Sequence, residues 1–440
     1  LVKNIIFLNF DIFNKEKTRF FNNVNKEINK KNYQLITLSS QKILNSKFQC
    51  QIMDFENYYI KDNLKLIKSK INISKVTQEN WLKVLRLYYQ NKSDVFIMNK
   101  INYIIYYYLV LFKKYNPVRA IVWTEFHPFC EIFIHICKFY KIEYLVAERG
   151  LLNETLVLEK NGIYGKSDLT KKNLIKKNNI NEYNQYIKNY YKLKKKWPPS
   201  KKINMFNINE NKKSIFFAGT NEIWHGLYPY KNKKTSPIFK SHLSALKAIS
   251  KASSKFKEFE IIYKPHPKDK IFHNYKNKIP KNIRIVENED AIMLIKKTDL
   301  FITIASSLIC DALIYKKPTI ILGNFEISNK KISNEVIKKT DLIKFFKLFR
   351  LNKLKSNHNN WKQFANYMLI DYLYNISKYK FGKLNFNFFS NKLLNLINKK
   401  KLSKNQLNKI ISTNMSLEKV VQKIFLKKRV KIKLQEWGFN

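Results

Sequence analysis

Apolar residues recur along this chain in short runs separated by stretches with helical spacing, and the alternation predicts the elements in order. Asn4 to Phe10 is an apolar strand, and Lys15 to Ile28 then carries helical periodicity, which makes a first strand–helix unit. Ala120 to Trp123 predicts a short buried strand, Pro128 to Tyr140 an apolar helix, and Glu143 to Ala147 a further strand running into Glu148. This is the beat of a doubly wound α/β sheet. In such sheets ligands sit outside the carboxyl ends of the strands, so residues directly after a strand become site candidates.

From Lys171 to Lys213 the chain turns polar and includes Trp197, Pro198 and Pro199, a composition suited to a linker with one helix. The strand–helix pattern then restarts. Strands are expected at Ser214 to Ala218, Phe259 to Tyr263, Ile283 to Val286, Leu300 to Ile304 and Thr319 to Leu322, with helices at Phe239 to Ser254, Ala291 to Lys297 and Leu308 to Tyr315. Leu342 to Asn440 reads as helical, basic and irregular. The expected organisation is a Rossmann-like domain over 1–175, a linker over 176–213, a second Rossmann-like domain over 214–341 and a basic helical extension over 342–440. A chain of 440 residues with 45% apolar residues has the length and material for two cores.

Charge changes the picture less than its size suggests. The 84 Lys and Arg against 32 Asp and Glu give a formal net charge of +52. The lysines are scattered among Asn and Ile in every segment, as an A/T-rich coding sequence writes them, and no base-stacking motif accompanies them, so nucleic acid is not an expected partner. Where the charge serves function, an anionic membrane surface, an anionic glycan or a nucleotide are the partners it suits. Cys50, Cys130, Cys137 and Cys310 form no CxxC pair and sit in apolar stretches, so neither a disulfide framework nor a metal site is expected. The apolar run Ile101 to Phe112 is too short to span a bilayer and no signal-peptide pattern opens the chain, which points to the cytoplasm.

Four constellations follow strands. Tyr263-Lys264-Pro265-His266-Pro267 sets Lys264 and His266 on a proline-stiffened turn that can hold a phosphate. Thr303, Ser306 and Ser307 precede a helix containing Asp311 and offer hydroxyls and backbone N–H groups to an anion, although the same serines serve as plain helix caps. Glu148-Arg149-Gly150 ends a strand, and its carboxylate can take the proton of an attacking hydroxyl or simply pair with a neighbouring base. Gly219 to Gly226 follows the first strand of the second domain and brings a second carboxylate, Glu222, together with His225. Trp123 and His127, which flank another strand end, and Tyr164 in Asn161-Gly162-Ile163-Tyr164 are candidates for contacting an acceptor sugar.

In the order Glu148-x-Gly150, Leu156 to Tyr164, Lys264-Pro265-His266-Pro267 and Ser306-Ser307, the chain resembles the bacterial capsule polysaccharide biosynthesis family, which includes β-Kdo transferases. The resemblance runs from about Ile121 to Gly323. It implies a GT-B fold and a glycosyltransferase without cofactor, with CMP-Kdo or a related CMP-sugar as the nucleotide-sugar donor and a lipid-linked or growing polysaccharide as acceptor. It further implies His266 and the serine pair on the donor phosphate and Glu148 in acid/base catalysis. Relatives look to place an aspartate nucleophile in the loop that here carries Glu222, and often an Asp where this chain has Arg149. A teichoic-acid-type CDP-polyol phosphotransferase, which shares the His-Pro turn and Ser-Ser helix start, and a non-catalytic polysaccharide- or membrane-binding protein are the alternatives.

Overall fold

The computed structural model describes residues 2–10, 13–40, 42–53, 71, 73–171, 179–194 and 207–395. Two sheets organise them. The first has strands β1 (Lys3–Asn9), β2 (Tyr33–Ser39), β3 (Gln49–Ile52), β4 (Arg119–Trp123), β5 (Tyr144–Arg149), β6 (Thr155–Glu159) and β13 (Tyr374–Asn375), in the spatial order β13-β6-β5-β4-β1-β2-β3. The second has β7 (Lys213–Ala218), β8 (Phe259–Lys264), β9 (Ile283–Ile285), β10 (Leu300–Thr303), β11 (Thr319–Ile321) and β12 (Asn334–Glu335), in the order β12-β11-β10-β7-β8-β9. All pairs are parallel except those made by β6 with β5 and β13.

Each sheet reverses its winding once, between β1 and β4 in the first and between β7 and β10 in the second. Those reversals are where the carboxyl ends of doubly wound strands part and leave a crevice for a ligand. The central strands justify their place by composition. Every residue of β4 is buried, as is every residue of β10, which is what a strand covered on both faces requires.

The surrounding helices bury one stripe each. Helix α1 (Lys15–Asn29) is capped by Asn14 and buries Phe20, Phe21, Val24 and Ile28; each such side chain removed from water contributes roughly 1.5–3 kcal/mol. Helices α2 (Lys75–Arg86), α3 (Asp94–Tyr115) and α4 (Pro128–Phe139) pack together on the first domain. The apolar run Ile101 to Phe112 proves to be the middle of α3, which has 22 residues and by length and composition alone could cross a membrane. Its most apolar window is 67% buried, so here it is a core helix.

The expected linker contains α5 (Asn181–Lys194), and the second domain carries α6 (His242–Ser253), α7 (Ala291–Lys297), α8 (Leu308–Ile314) and α9 (Asp341–Arg350). The segment expected as a separate C-terminal extension behaves differently in its described part. Helix α10 (His358–Asp371) packs on α5, β13 adds an antiparallel edge strand to β6, and α11 (Phe386–Asn395) packs on α1. The chain thus crosses back and finishes the first domain. Phe389 supplies the reason, seating its ring edge-on against Phe20, Phe21 and Tyr374.

Candidate active site

The loops leaving the two sheet reversals meet each other. Phe126, just after β4, lies against Gly226 in the loop after β7, so close that a Cβ on Gly226 would stand 2.6 Å from its ring. Gly226 also has φ +69°, a left-handed conformation that favours glycine. The Phe126 ring lies 6.3 Å from that of Tyr230, and the Tyr230 hydroxyl donates to Glu131 Oε2 at 2.7 Å across the same boundary. Two doubly wound domains therefore face each other with their ligand crevices opposed, which is the GT-B arrangement.

Into that junction the first domain sends Glu148 and Tyr164. Strand β5 runs two residues beyond its expected end, so Glu148 sits within it and is buried, with Oε1 accepting the N–H of Arg149 at 2.9 Å. The hairpin behind it closes tightly because Gly150 has no side chain; a Cβ there would meet Thr155 Oγ1 at 2.1 Å. Tyr164 stacks on His225 of the second domain with ring centroids 4.2 Å apart. Burial holds its phenol well above the ordinary value, the carboxylates of Glu148, Glu326 and Glu125 add to that, and the Arg149 guanidinium opposes it.

Glu326 is a candidate that the sequence reading missed. It follows β11 in Gly323-Asn324-Phe325-Glu326, is 7% exposed, and its Oε2 has no hydrogen-bond partner among the described residues. Burial pushes its carboxyl up to about 7, against the opposing effect of its own backbone N–H and that of Tyr164. The signal that would have found it is the same one used elsewhere, a polar residue shortly after the carboxyl end of a strand.

The second domain contributes two histidines. His225 Nδ1 contacts the Asn221 carbonyl at 2.9 Å, and burial pulls the ring down to about 4, with His266 acting in the same direction from nearby. His266 Nδ1 accepts the N–H of Lys268 at 3.1 Å, so the proton of the neutral ring belongs on Nε2, where it can be donated. Ser306 accepts the N–H of Leu308 at 3.3 Å just ahead of α8, whereas the N-cap residue Ser307 is exposed and its hydroxyl makes no cap bond among the described residues.

Several expected site residues are placed elsewhere. Trp123 is fully buried in the first-domain core, with Lys17 Nζ 4.2 Å from its ring centroid, and cannot meet a sugar. His127 is buried among Phe10, Tyr88 and Phe129 and caps α4, accepting the Phe129 N–H at 3.4 Å. Thr303 is buried and donates to the Ala218 carbonyl at 3.0 Å, tying β10 to β7. Lys264 Nζ donates to the Glu287 carbonyl at 2.6 Å instead of resting over the crevice. Asp311 accepts from the Tyr190 hydroxyl, which docks α5 on the second domain. Glu222, the second catalytic candidate, is also interior: only 1% exposed, it accepts the backbone N–H of His242 at 2.6 Å.

The sequence matches no protein-family model and no curated protein. Among solved structures the chain is similar to a KpsC β-Kdo 2,7 transferase of Thermosulfurimonas dismutans, with 16% identity, a TM-score of 0.39 and coverage of 74% of this chain and 97% of that one. It is similar to the β-Kdo 2,4 transferase of the same organism, at 14% identity, a TM-score of 0.43 and coverage of 63% and 87%. A glycosyltransferase from Rickettsia africae matches over 90% of this chain and 98% of its own length, at 12% identity and a TM-score of 0.33. With identities of 16% or less, function has to be read from the residues of this chain's own cleft.

Proposed function

We propose that this protein is a glycosyltransferase that moves a sugar from a nucleotide-linked donor to an acceptor hydroxyl in the cleft between its two domains. The observation that carries the reading is the opposition of the two sheet reversals, with Glu148 supplied from one side and His225, His266 and Glu326 from the other. The donor binds the second domain, where His266 Nε2 and the Ser307 hydroxyl offer hydrogen bonds to its phosphate. Glu148 takes the proton of the acceptor hydroxyl as that oxygen attacks the anomeric carbon, while the bond from that carbon to the donor phosphate oxygen breaks. Glu326, whose carboxyl retains its proton into the neutral range, is the complementary donor. A carboxylate and a protonated carboxylic acid in one site are how that site supplies both a base and an acid.

The donor we favour is CMP-Kdo, on the family resemblance of the Glu148-x-Gly150, Lys264-Pro265-His266-Pro267 and Ser306-Ser307 stretches. On the same ground we assign the protein to capsular polysaccharide synthesis on a lipid-linked or growing glycan, at the cytoplasmic face of an anionic membrane. The deciding experiment incubates the protein with CMP-Kdo, CMP-sialic acid, CDP-glycerol and UDP-sugars and follows nucleotide release. Release from CMP-Kdo supports the full reading, and release from UDP-sugars alone refutes the Kdo assignment but keeps glycosyl transfer. Turnover of CDP-glycerol would make the chain a polyol-phosphate transferase, and no nucleotide binding at all would end the enzymatic reading.

A further inference from the structure

Behind the cleft, in the interior of the second domain, three turns bring together Glu222, His242 and Asp269. Glu222 lies in the loop after β7, His242 is the first residue of α6, and Asp269 lies in the turn after β8. Their exposures are 1%, 0% and 4%, and one ligand atom from each lies within 4.8 Å of the others.

The imidazole orientation is fixed by its far side. Thr220 donates its backbone N–H to His242 Nε2 at 3.0 Å, which commits that lone pair and turns Nδ1 toward the acids. Around Nδ1 stand Glu222 Oε1 at 3.3 Å, Asp269 Oδ2 at 3.6 Å and the Tyr275 hydroxyl at 3.4 Å. The Tyr275 hydroxyl is also 3.4 Å from Asp269 Oδ2. All of these lie beyond the usual hydrogen-bond ranges of about 2.7–3.2 Å for nitrogen to oxygen and about 2.5–3.0 Å for oxygen to oxygen. They match the separation of roughly 3.2–3.6 Å between neighbouring ligands of an ion bound at about 2.0–2.2 Å.

The electrostatics point the same way. Among the described residues neither carboxylate has a Lys or Arg partner; the base beside both is His242, whose ring is neutral while Nε2 accepts the Thr220 N–H. Two carboxylates at this depth beside a ring whose Nε2 already accepts a proton donor are stabilised by positive charge between them. A divalent ion supplies it with one bond to each group. Histidine with two carboxylates is a donor set that zinc and similar first-row ions accept.

We propose that Glu222, His242 and Asp269 bind a divalent transition-metal ion of zinc type, with Tyr275 closing the fourth side. On binding, the ion takes the Nδ1 lone pair of His242 and the Nδ1 proton leaves to solvent, so loading is favoured as pH rises. The site is structural: its groups are buried away from the cleft, and what the ion does is fasten the loop carrying His225, the turn carrying His266 and the start of α6 to one another. No zinc-spaced motif marks the set, because its three members lie 20 and 27 residues apart on separate turns. The inference is independent of the donor and of whether sugar is transferred at all.

The test uses the untagged full chain, purified without chelator, with bound metal measured by inductively coupled plasma mass spectrometry. One equivalent of a transition metal is expected, falling to background in His242→Gln and in Asp269→Asn while His266→Ala retains it. Cobalt-refolded protein should show the visible bands of a low-symmetry, four-coordinate ion, and prolonged chelation should lower the thermal midpoint. Should the variants fail to fold, the metal content and cobalt spectrum of the unmodified chain still decide. A folded wild-type protein that carries no metal, and takes up neither Zn²⁺, Mn²⁺ nor Co²⁺ on refolding, overturns the proposal and leaves a proton as the bridging charge.

Discussion

The ring of Tyr164 lies nearly parallel to the imidazole of His225, with centroids 4.2 Å and planes 27° apart, although the two residues belong to opposite domains. Aromatic pairs of this kind contribute about 0.5–1.5 kcal/mol beyond the area they bury. Tyr164→Ala should therefore loosen the junction and lower turnover by about tenfold, the equivalent of roughly 1.4 kcal/mol in the barrier. Tyr164→Phe keeps the stack and should retain most activity. If both variants lose activity equally, the hydroxyl and not the stack is what matters.

Glu326 should impose a pH dependence on stability. Its folded carboxyl titrates at about 7, above the unfolded value of roughly 4.3, so its contribution is fully present in acid and is lost as pH rises toward and through 7. The groups facing it are Tyr164 and, around that phenol, Glu148, Glu125 and Arg149. Glu326→Gln should remove up to about 3 kcal/mol of this decline between pH 5 and 8, read by urea unfolding across the range. It should also flatten the pH profile of turnover near neutrality. Parallel curves for the variant and the parent would show that the carboxyl is not perturbed.

Glu148 and His266 should separate chemistry from binding. Glu148→Gln is expected to keep the fold and nucleotide affinity while turnover drops by about 10² to 10⁴, the usual contribution of a general acid or base. His266→Ala should instead weaken nucleotide binding by about 0.5–1.5 kcal/mol, the range of a neutral hydrogen bond. Calorimetric titration with nucleotide alongside steady-state rates distinguishes the two, and near-normal turnover in Glu148→Gln would move the base elsewhere, first to Glu326.

The Phe126–Gly226 contact should be intolerant of a single methyl group. Gly226→Ala places a Cβ 2.6 Å from the Phe126 ring at a residue with φ +69°. Left-handed backbone and overpacking together should cost about 2 to 4 kcal/mol. Adding Phe126→Leu should recover the steric part only. An unchanged unfolding midpoint in the single variant would mean that the domains do not pack here in solution.

The sequence by itself determined the doubly wound class of both sheets and the positions of their central strands, because parallel strands buried on both faces must be continuous apolar runs and their crossover helices must show helical spacing. It also singled out Glu148 and His266 as candidates, since the rule that ligands meet strands at their carboxyl ends needs only the strand positions. Only the tertiary structure decided which polar residues near a strand end turn inward. Trp123, His127, Glu222 and Thr303 satisfy the same rule as the residues of the cleft, yet their side chains close on the core, a helix start, His242 and the Ala218 carbonyl. The return of β13 and α11 to the first domain was equally hidden, because it depends on Phe389 meeting Phe20 and Phe21 from the far end of the chain. Periodicity records which positions are apolar, but not which neighbour a given side chain turns to, whether that neighbour is two residues away, as for His127, or several hundred, as for Phe389.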